Sequence, residues 1–99
     1  MAYQSTNPYT GKTVQSFDEI GDAELEARLQ AAHNCYLNGW RNKPIAERKA
    51  VLAKAAALMR EQAPALGALT TLEMGKLIAQ NVGEVKLSAA ILDYYAEHA

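Results

Sequence analysis

The sequence predicts a mainly α chain, a short N-terminal β-hairpin followed by about four helices, and three observations carry that reading. Thr, Tyr, Val and Phe concentrate in the first seventeen residues around a cluster of turn formers. Beyond Gly21, apolar residues recur at three- and four-residue spacing between recognisable helix starts and stops. The last run, Leu77 to Ala99, is apolar on two opposite sides, whereas a helix of a finished small domain buries one stripe.

The strand signal runs from Ala2 to Phe17, with Tyr3 to Thr6 and Thr13 to Phe17 as the strands. Between them, Asn7 suits a turn by side-chain bonding to the backbone, Pro8 by its fixed φ and Gly11 by tolerating positive φ. A two-stranded ribbon needs packing beneath it. The first helix opens at Gly21-Asp22, with Asp22 as N-cap and Glu24 and Glu26 in the favourable first turn. Leu25, Leu29, Ala32, Tyr36 and Trp40 form its apolar line, and Gly39 and Asn42 end it.

Pro44 opens the second helix at the position where a missing N–H is harmless. That helix runs from Ile45 to about Gln62, with Ile45, Val51, Leu52, Ala55, Leu58 and Met59 on one face. Pro64 marks a third start, followed by Leu66, Leu69 and Leu72, and Gly75 reads as its C′ cap. Lys76 or Leu77 begins the last helix, in which Gly83 lowers local stability by roughly 1 kcal/mol relative to Ala. At about 100° per residue, Ile78, Val82, Val85, Ala89 and Leu92 form one line, with Leu87, Ile91 and Tyr94 roughly opposite. The short loops suggest a compact antiparallel helical group, yet nothing in the chain is left to cover the second line. The chain reads as part of something larger.

Composition narrows the function classes. The 99 residues fit one domain or a piece of one, and 49% hydrophobic residues with net charge −1 describe an ordinary globular chain. Ten Lys and Arg are interspersed with eleven Asp and Glu, which points to neither nucleic acid nor an anionic membrane surface. A single cysteine excludes an internal disulfide. No positive segment precedes an apolar core at the start, and no apolar run approaches the ~20 residues needed to cross a bilayer, so a reducing cytoplasm is the expected location.

Chemistry-bearing residues are sparse. Cys35 needs a nearby base or positive potential to act as a nucleophile, and its helical neighbours Ala31, Ala32, Asn38 and Gly39 supply neither. His33 lies two residues away and points to a different side, so Cys35 reads as an inert helix cysteine. His33 and His98 have no carboxylate or thiol at metal-ligand spacing and read as surface or packing residues. Glu84 and Lys86, and the cluster Glu47, Arg48 and Lys49, read as solvated helix faces; for Arg48 the alternative is a buried ion pair with a later part of the chain. Gly75 lacks both the Gly-to-Gly-Lys spacing and the preceding strand of a phosphate loop. The Leu29, Tyr36 and Trp40 line could border a ligand, although an aromatic stripe at helical spacing is usually core.

Taken together, Asn7-Pro8-Tyr9-Thr10-Gly11, the Trp40-Arg41 helix end, Ala46-Glu47-Arg48, Leu72-Glu73-Met74-Gly75-Lys76 and Asp93-Tyr94-Tyr95-Ala96-Glu97-His98 closely resemble the opening of an aldehyde dehydrogenase, in order and spacing. The wording is most similar to the NADP-preferring succinate-semialdehyde dehydrogenases, at the Glu-Met-Gly-Lys run and the Tyr-Tyr-Ala-Glu-His ending. The resemblance implies a parent α/β enzyme that oxidises an aldehyde to a carboxylic acid through a cysteine thiohemiacetal. Hydride passes to NADP or NAD, and a glutamate assists hydrolysis of the thioester. The family's nucleophile lies in a Gly-Gln-x-Cys setting and its base in a Glu-Leu-Gly-Gly setting, both downstream of the position matching Ala99. No catalytic, cofactor-binding or metal residue is therefore carried over to this chain, and Cys35 does not match the nucleophile. The resemblance implies scaffold instead: residues 1–99 as an N-terminal helical segment, with the hairpin and first helices beside the cofactor domain and the last helix in the wall of the substrate tunnel. Leu87 matches a tunnel-facing position. Glu73 matches a position whose acidic side chain helps hold a structural monovalent cation in some relatives. The partners implied are the remaining aldehyde dehydrogenase domains, within a homo-oligomer.

Two readings from different classes stand at this stage. One is the scaffold segment of a dehydrogenase, silent on its own. The other is a non-enzymatic helical interaction module that uses the exposed apolar face of residues 77–99.

Overall fold

The hairpin forms where the β-branched and aromatic residues stand. The computed structural model describes residues 3–99, so Met1 and Ala2, the latter at the edge of the predicted strand run, lie outside the described residues. Strands β1 (Tyr3–Thr6) and β2 (Thr13–Phe17) pair antiparallel with Tyr3 opposite Phe17 and Thr6 opposite Thr13. The register slips between Ser5 and Thr6, which leaves Val14 as the extra residue of a bulge. The turn is tied internally: the Asn7 side chain accepts from the Tyr9 N–H at 2.9 Å, and the Asn7 carbonyl accepts from the Gly11 N–H at 2.8 Å. Gly11 takes a φ of +70°, which explains glycine there.

Four helices follow, α1 (Asp22–Asn38), α2 (Ile45–Glu61), α3 (Ala63–Met74) and α4 (Ile78–His98), with a 3-10 turn at Trp40–Asn42 between the first two. Their starts differ in detail from the sequence expectation. Gly21, in extended conformation, is the N-cap of α1 and Asp22 is already helical, so Asp22 and Glu24 act through the helix dipole rather than as a cap. Pro44 stands before α2 as its N-cap, with its carbonyl accepting from Glu47 N at 3.1 Å and Arg48 N at 3.3 Å. Pro64 does sit in the first turn of α3, and Gly75 closes that helix in the left-handed region with its N–H on the Thr71 carbonyl. Leu77 caps α4.

Packing is concentrated in α2, α3 and α4. Helix α4 lies along both of the others, and among the described residues the fully buried ones are small: Ala56, Ala63, Gly67 and Ala89, together with Asn81. The α3–α4 crossing is tight enough that a Cβ on Gly67 would stand 2.7 Å from Val82 Cγ2 and 3.0 Å from Val82 N. Leu52, Ala55, Met59, Leu66, Val82, Val85 and Leu92 are half-buried around this seam.

The expectation of a compact helical group including α1 is not met. Every residue of α1 is exposed, including Leu25, Leu29 and Tyr36 of its apolar line. The molecule measures 48 × 38 × 16 Å, little more than one helix diameter thick, and its radius of gyration of 17.7 Å exceeds the ~13 Å of a compact domain this long. Helical periodicity specifies which side chains share a face; a second element must exist to cover it.

Candidate functional site

Helix α4 holds the chain's main candidate because its two apolar lines meet different environments. Val82, Val85, Ala89 and Leu92 turn towards α2 and α3 and are buried or half-buried, while Ile78 at the helix start stays exposed. On the opposite side Leu87 is 61% exposed, Ile91 49% and Tyr94 56%. The second line predicted from the sequence is thus a continuous apolar surface. Its C-terminal end is ordered by rings: Tyr94 stacks on His98 at 4.2 Å between centroids and meets Tyr95 edge-on at 5.4 Å. His98 Nδ1 lies 2.8 Å from the Tyr94 carbonyl oxygen, which accepts when Nδ1 carries the proton.

Beside this face runs an open groove of about 740 Å³ between α2 and α4, floored by Ala46, Ala50, Ala53 and Ala90. Polar ties cross it. Arg60 pairs with Asp93, and Lys49 Nζ donates to the Glu97 carbonyl at 2.9 Å. Both members of the ion pair are more than a third exposed, so it fixes geometry more than it adds stability.

The remaining sequence candidates are spread over other elements. Glu73, in the last turn of α3, accepts a hydrogen bond from Ser5 Oγ at 2.7 Å, which joins the hairpin to α3. Cys35 and His33 are exposed on α1. Among the described residues no three His, Cys, Asp or Glu side chains gather where they could hold a metal ion. Arg48 departs from both sequence readings. It is half-buried, and its Nη2 donates at 2.8 Å to the carbonyls of Trp40 and Arg41, with its guanidinium 5.5 Å from the centre of the Trp40 ring. Backbone oxygens of the 3-10 turn, which no side-chain pattern advertises, take the place of a carboxylate.

Two residues escaped the sequence reading altogether. Gly67 permits the close crossing of α3 and α4, and Asn81, 1% exposed, donates from Nδ2 to Thr71 Oγ1 at 2.8 Å across the same seam. A glycine inside a helical run was the available signal for the first. An asparagine on an otherwise apolar line would have been the signal for the second.

This arrangement offers surfaces and joints. No phosphate-binding loop is present among the described residues: Gly75 caps α3, and the segment before it is helix rather than strand.

Comparison with known proteins identifies the larger design. The sequence model of the aldehyde dehydrogenase family matches residues 1–99. The NADP(+) succinate-semialdehyde dehydrogenase of Deinococcus radiodurans is 44% identical over 95 residues, covering 96% of this chain and 20% of that protein. Among solved structures, a succinic semialdehyde dehydrogenase from Streptococcus pyogenes in complex with NADP+ superposes with a TM-score of 0.88 at 39% identity, covering 97% of this chain and 21% of that one. A structure described as giving insights into cofactor and substrate selection by Gox0499 superposes with a TM-score of 0.93 at 31% identity, covering 98% and 21%. The chain thus spans about a fifth of the length of these relatives. Matched from its first residue to its last, and folded as the corresponding fifth of these structures is folded, the chain belongs to the aldehyde dehydrogenase family.

Proposed function

We propose that this chain is the N-terminal scaffold segment of an NADP-dependent aldehyde dehydrogenase whose substrate is succinate semialdehyde, oxidised to the carboxylate. The observation that carries the proposal is the uncovered line Leu87, Ile91 and Tyr94 on α4, in a chain that matches a fifth of relatives named for that reaction. Apolar side chains at this spacing on an ordered helix are stabilising only when something covers them. The remaining four-fifths of a dehydrogenase would supply that cover, and Leu87 would then face the substrate passage. In this reading the nucleophile, the base and the dinucleotide site come from outside the 99 residues, and the working compartment is the cytoplasm.

The test is activity. The purified 99-residue chain with succinate semialdehyde and NADP should form no NADPH. Reproducible NADPH formation that scales with protein concentration in a homogeneous sample contradicts the scaffold reading.

A further inference from the structure

We infer that the N-terminal hairpin is a strap fastened to the α3–α4 corner by a two-part latch, with Glu73 serving as the hydrogen-bond acceptor that closes it. The first part is polar: Ser5 Oγ donates to Glu73 Oε1 at 2.7 Å, a contact between residues 68 positions apart. The second is steric. Gly75 sits at φ +71°, and a Cβ there would stand 3.0 Å from Pro8 Cγ, so the hairpin turn rests against the bare backbone of the residue that ends α3. Between the two contacts, Asn7 and Tyr9 from the turn and Ala68, Thr71 and Leu72 from α3 line a cleft of about 410 Å³.

The rest of the strap is not anchored by burial. All of β2 and α1 is exposed, so the segment from Lys12 to Asn38 buries no side chain. Arg48 grips the far end, through the carbonyls of Trp40 and Arg41. The latch and the Arg48 contacts therefore tie the hairpin and the Trp40–Asn42 turn to the packed helices. The corner is also stiffened from the α4 side, where Lys76 Nζ reaches both carboxylate oxygens of Glu84 at 2.8 and 3.0 Å. That brace gives the latch a fixed seat. An acceptor committed to Ser5 in this way acts through geometry.

The latch makes a prediction that a cation ligand does not. Hydrogen exchange of the Asn7 and Gly11 amides, both bonded within the turn, reports on the strap in the 99-residue chain. Ser5→Ala and Glu73→Ala should each accelerate exchange of these amides roughly three- to tenfold, the scale of one net hydrogen bond. The double variant should be no faster than either single one, because both remove the same bond. Glu73→Gln, which keeps an acceptor oxygen without the charge, should restore most of the protection. Amides of α2 and α4 should be unaffected throughout. The proposal is overturned if the hairpin amides are unprotected in the parent chain, if the two single variants add, or if Glu73→Gln behaves like Glu73→Ala. It is equally overturned if potassium or sodium slows hairpin exchange in the parent chain and this response disappears in Glu73→Ala.

Discussion

Helices α1 and α2 are each 17 residues long and each carries an apolar line, yet their side chains end in different surroundings. In α2, Leu52, Ala55, Ala56 and Met59 are covered or half-covered where α4 lies along it, while Ile45, Val51 and Leu58 of the face read from the sequence stay exposed. In α1, Leu25, Leu29 and Tyr36 are 47%, 57% and 53% exposed. Local interactions are what α1 has: the Glu24–Arg28 pair at 2.6 Å, the Gln30–Asn34 hydrogen bond at 3.0 Å, and Asp22 and Glu24 at the positive end of the helix dipole. Each such pair contributes only about 0.2–0.5 kcal/mol, and most helical stability in proteins comes from packing of an amphipathic face. An amphipathic stripe is a capacity for packing, and the difference between α1 and α2 is whether a neighbour exists.

The same contrast divides the two faces of α4, and substitutions there should break it most clearly. Replacing Leu87 and Ile91 together by Glu puts charges on the outer face. In the isolated chain these meet water, and self-association measured by sedimentation should decrease. In a complete dehydrogenase they become unpaired buried carboxylates and should destabilise by more than about 2 kcal/mol in denaturant unfolding. Equal signs in the two contexts would mean that the outer face is not an internal surface of the parent enzyme.

On the inner face, Gly67→Ala should destabilise the chain by about 1–3 kcal/mol, because the new Cβ meets Val82 backbone as well as side chain. Gly83→Ala is the internal contrast. It points into open space on the same helix pair and should stabilise by about 0.5–1 kcal/mol through helix propensity. Urea unfolding midpoints that move in the same direction for both would contradict the assigned crossing.

A smaller effect is expected at the joint between the regions. Arg48→Ala removes two carbonyl hydrogen bonds and the contact with Trp40, and should loosen the Trp40–Asn42 turn by about 1–2 kcal/mol. Arg48→Lys should rescue little, since a single ammonium lacks the planar fork that rests on the ring. Exchange rates of the Lys43 amide, which bonds to the same Trp40 carbonyl, report the change. Full rescue by Lys would show that charge alone holds the turn.

Legibility from sequence followed the range of the forces involved. The strands β1 and β2 were readable to the residue because Thr, Tyr, Val and Phe and the Asn7-to-Gly11 turn act locally. Gly75 was readable as a cap because only its own backbone conformation is at stake. The two-sidedness of α4 was readable because it is a property of spacing within one helix. What required structure was everything involving a second element: that α1 has no cover, that Gly67 is a crossing point, that Arg48 caps backbone carbonyls instead of pairing with a carboxylate, and that Ser5 reaches Glu73. The candidate face was visible as a pattern, while the family came from the resemblance and is shown by the match over residues 1–99.

The proposed scaffold role implies that the rest of a dehydrogenase covers α1 as well as the outer face of α4. The most direct test is hydrogen exchange of α1 amides in two settings: the 99-residue chain alone, and the same residues replacing their counterpart in the Deinococcus radiodurans enzyme. Alone, α1 should exchange close to the rate of an unstructured peptide while α2 and α4 remain protected. In the full-length hybrid, α1 protection should rise by at least a hundredfold, about 2.7 kcal/mol of added local stability. Alpha-helix amides of α1 that are as protected in the isolated chain as in the hybrid would contradict the claim, and would mean that this chain supplies its own cover.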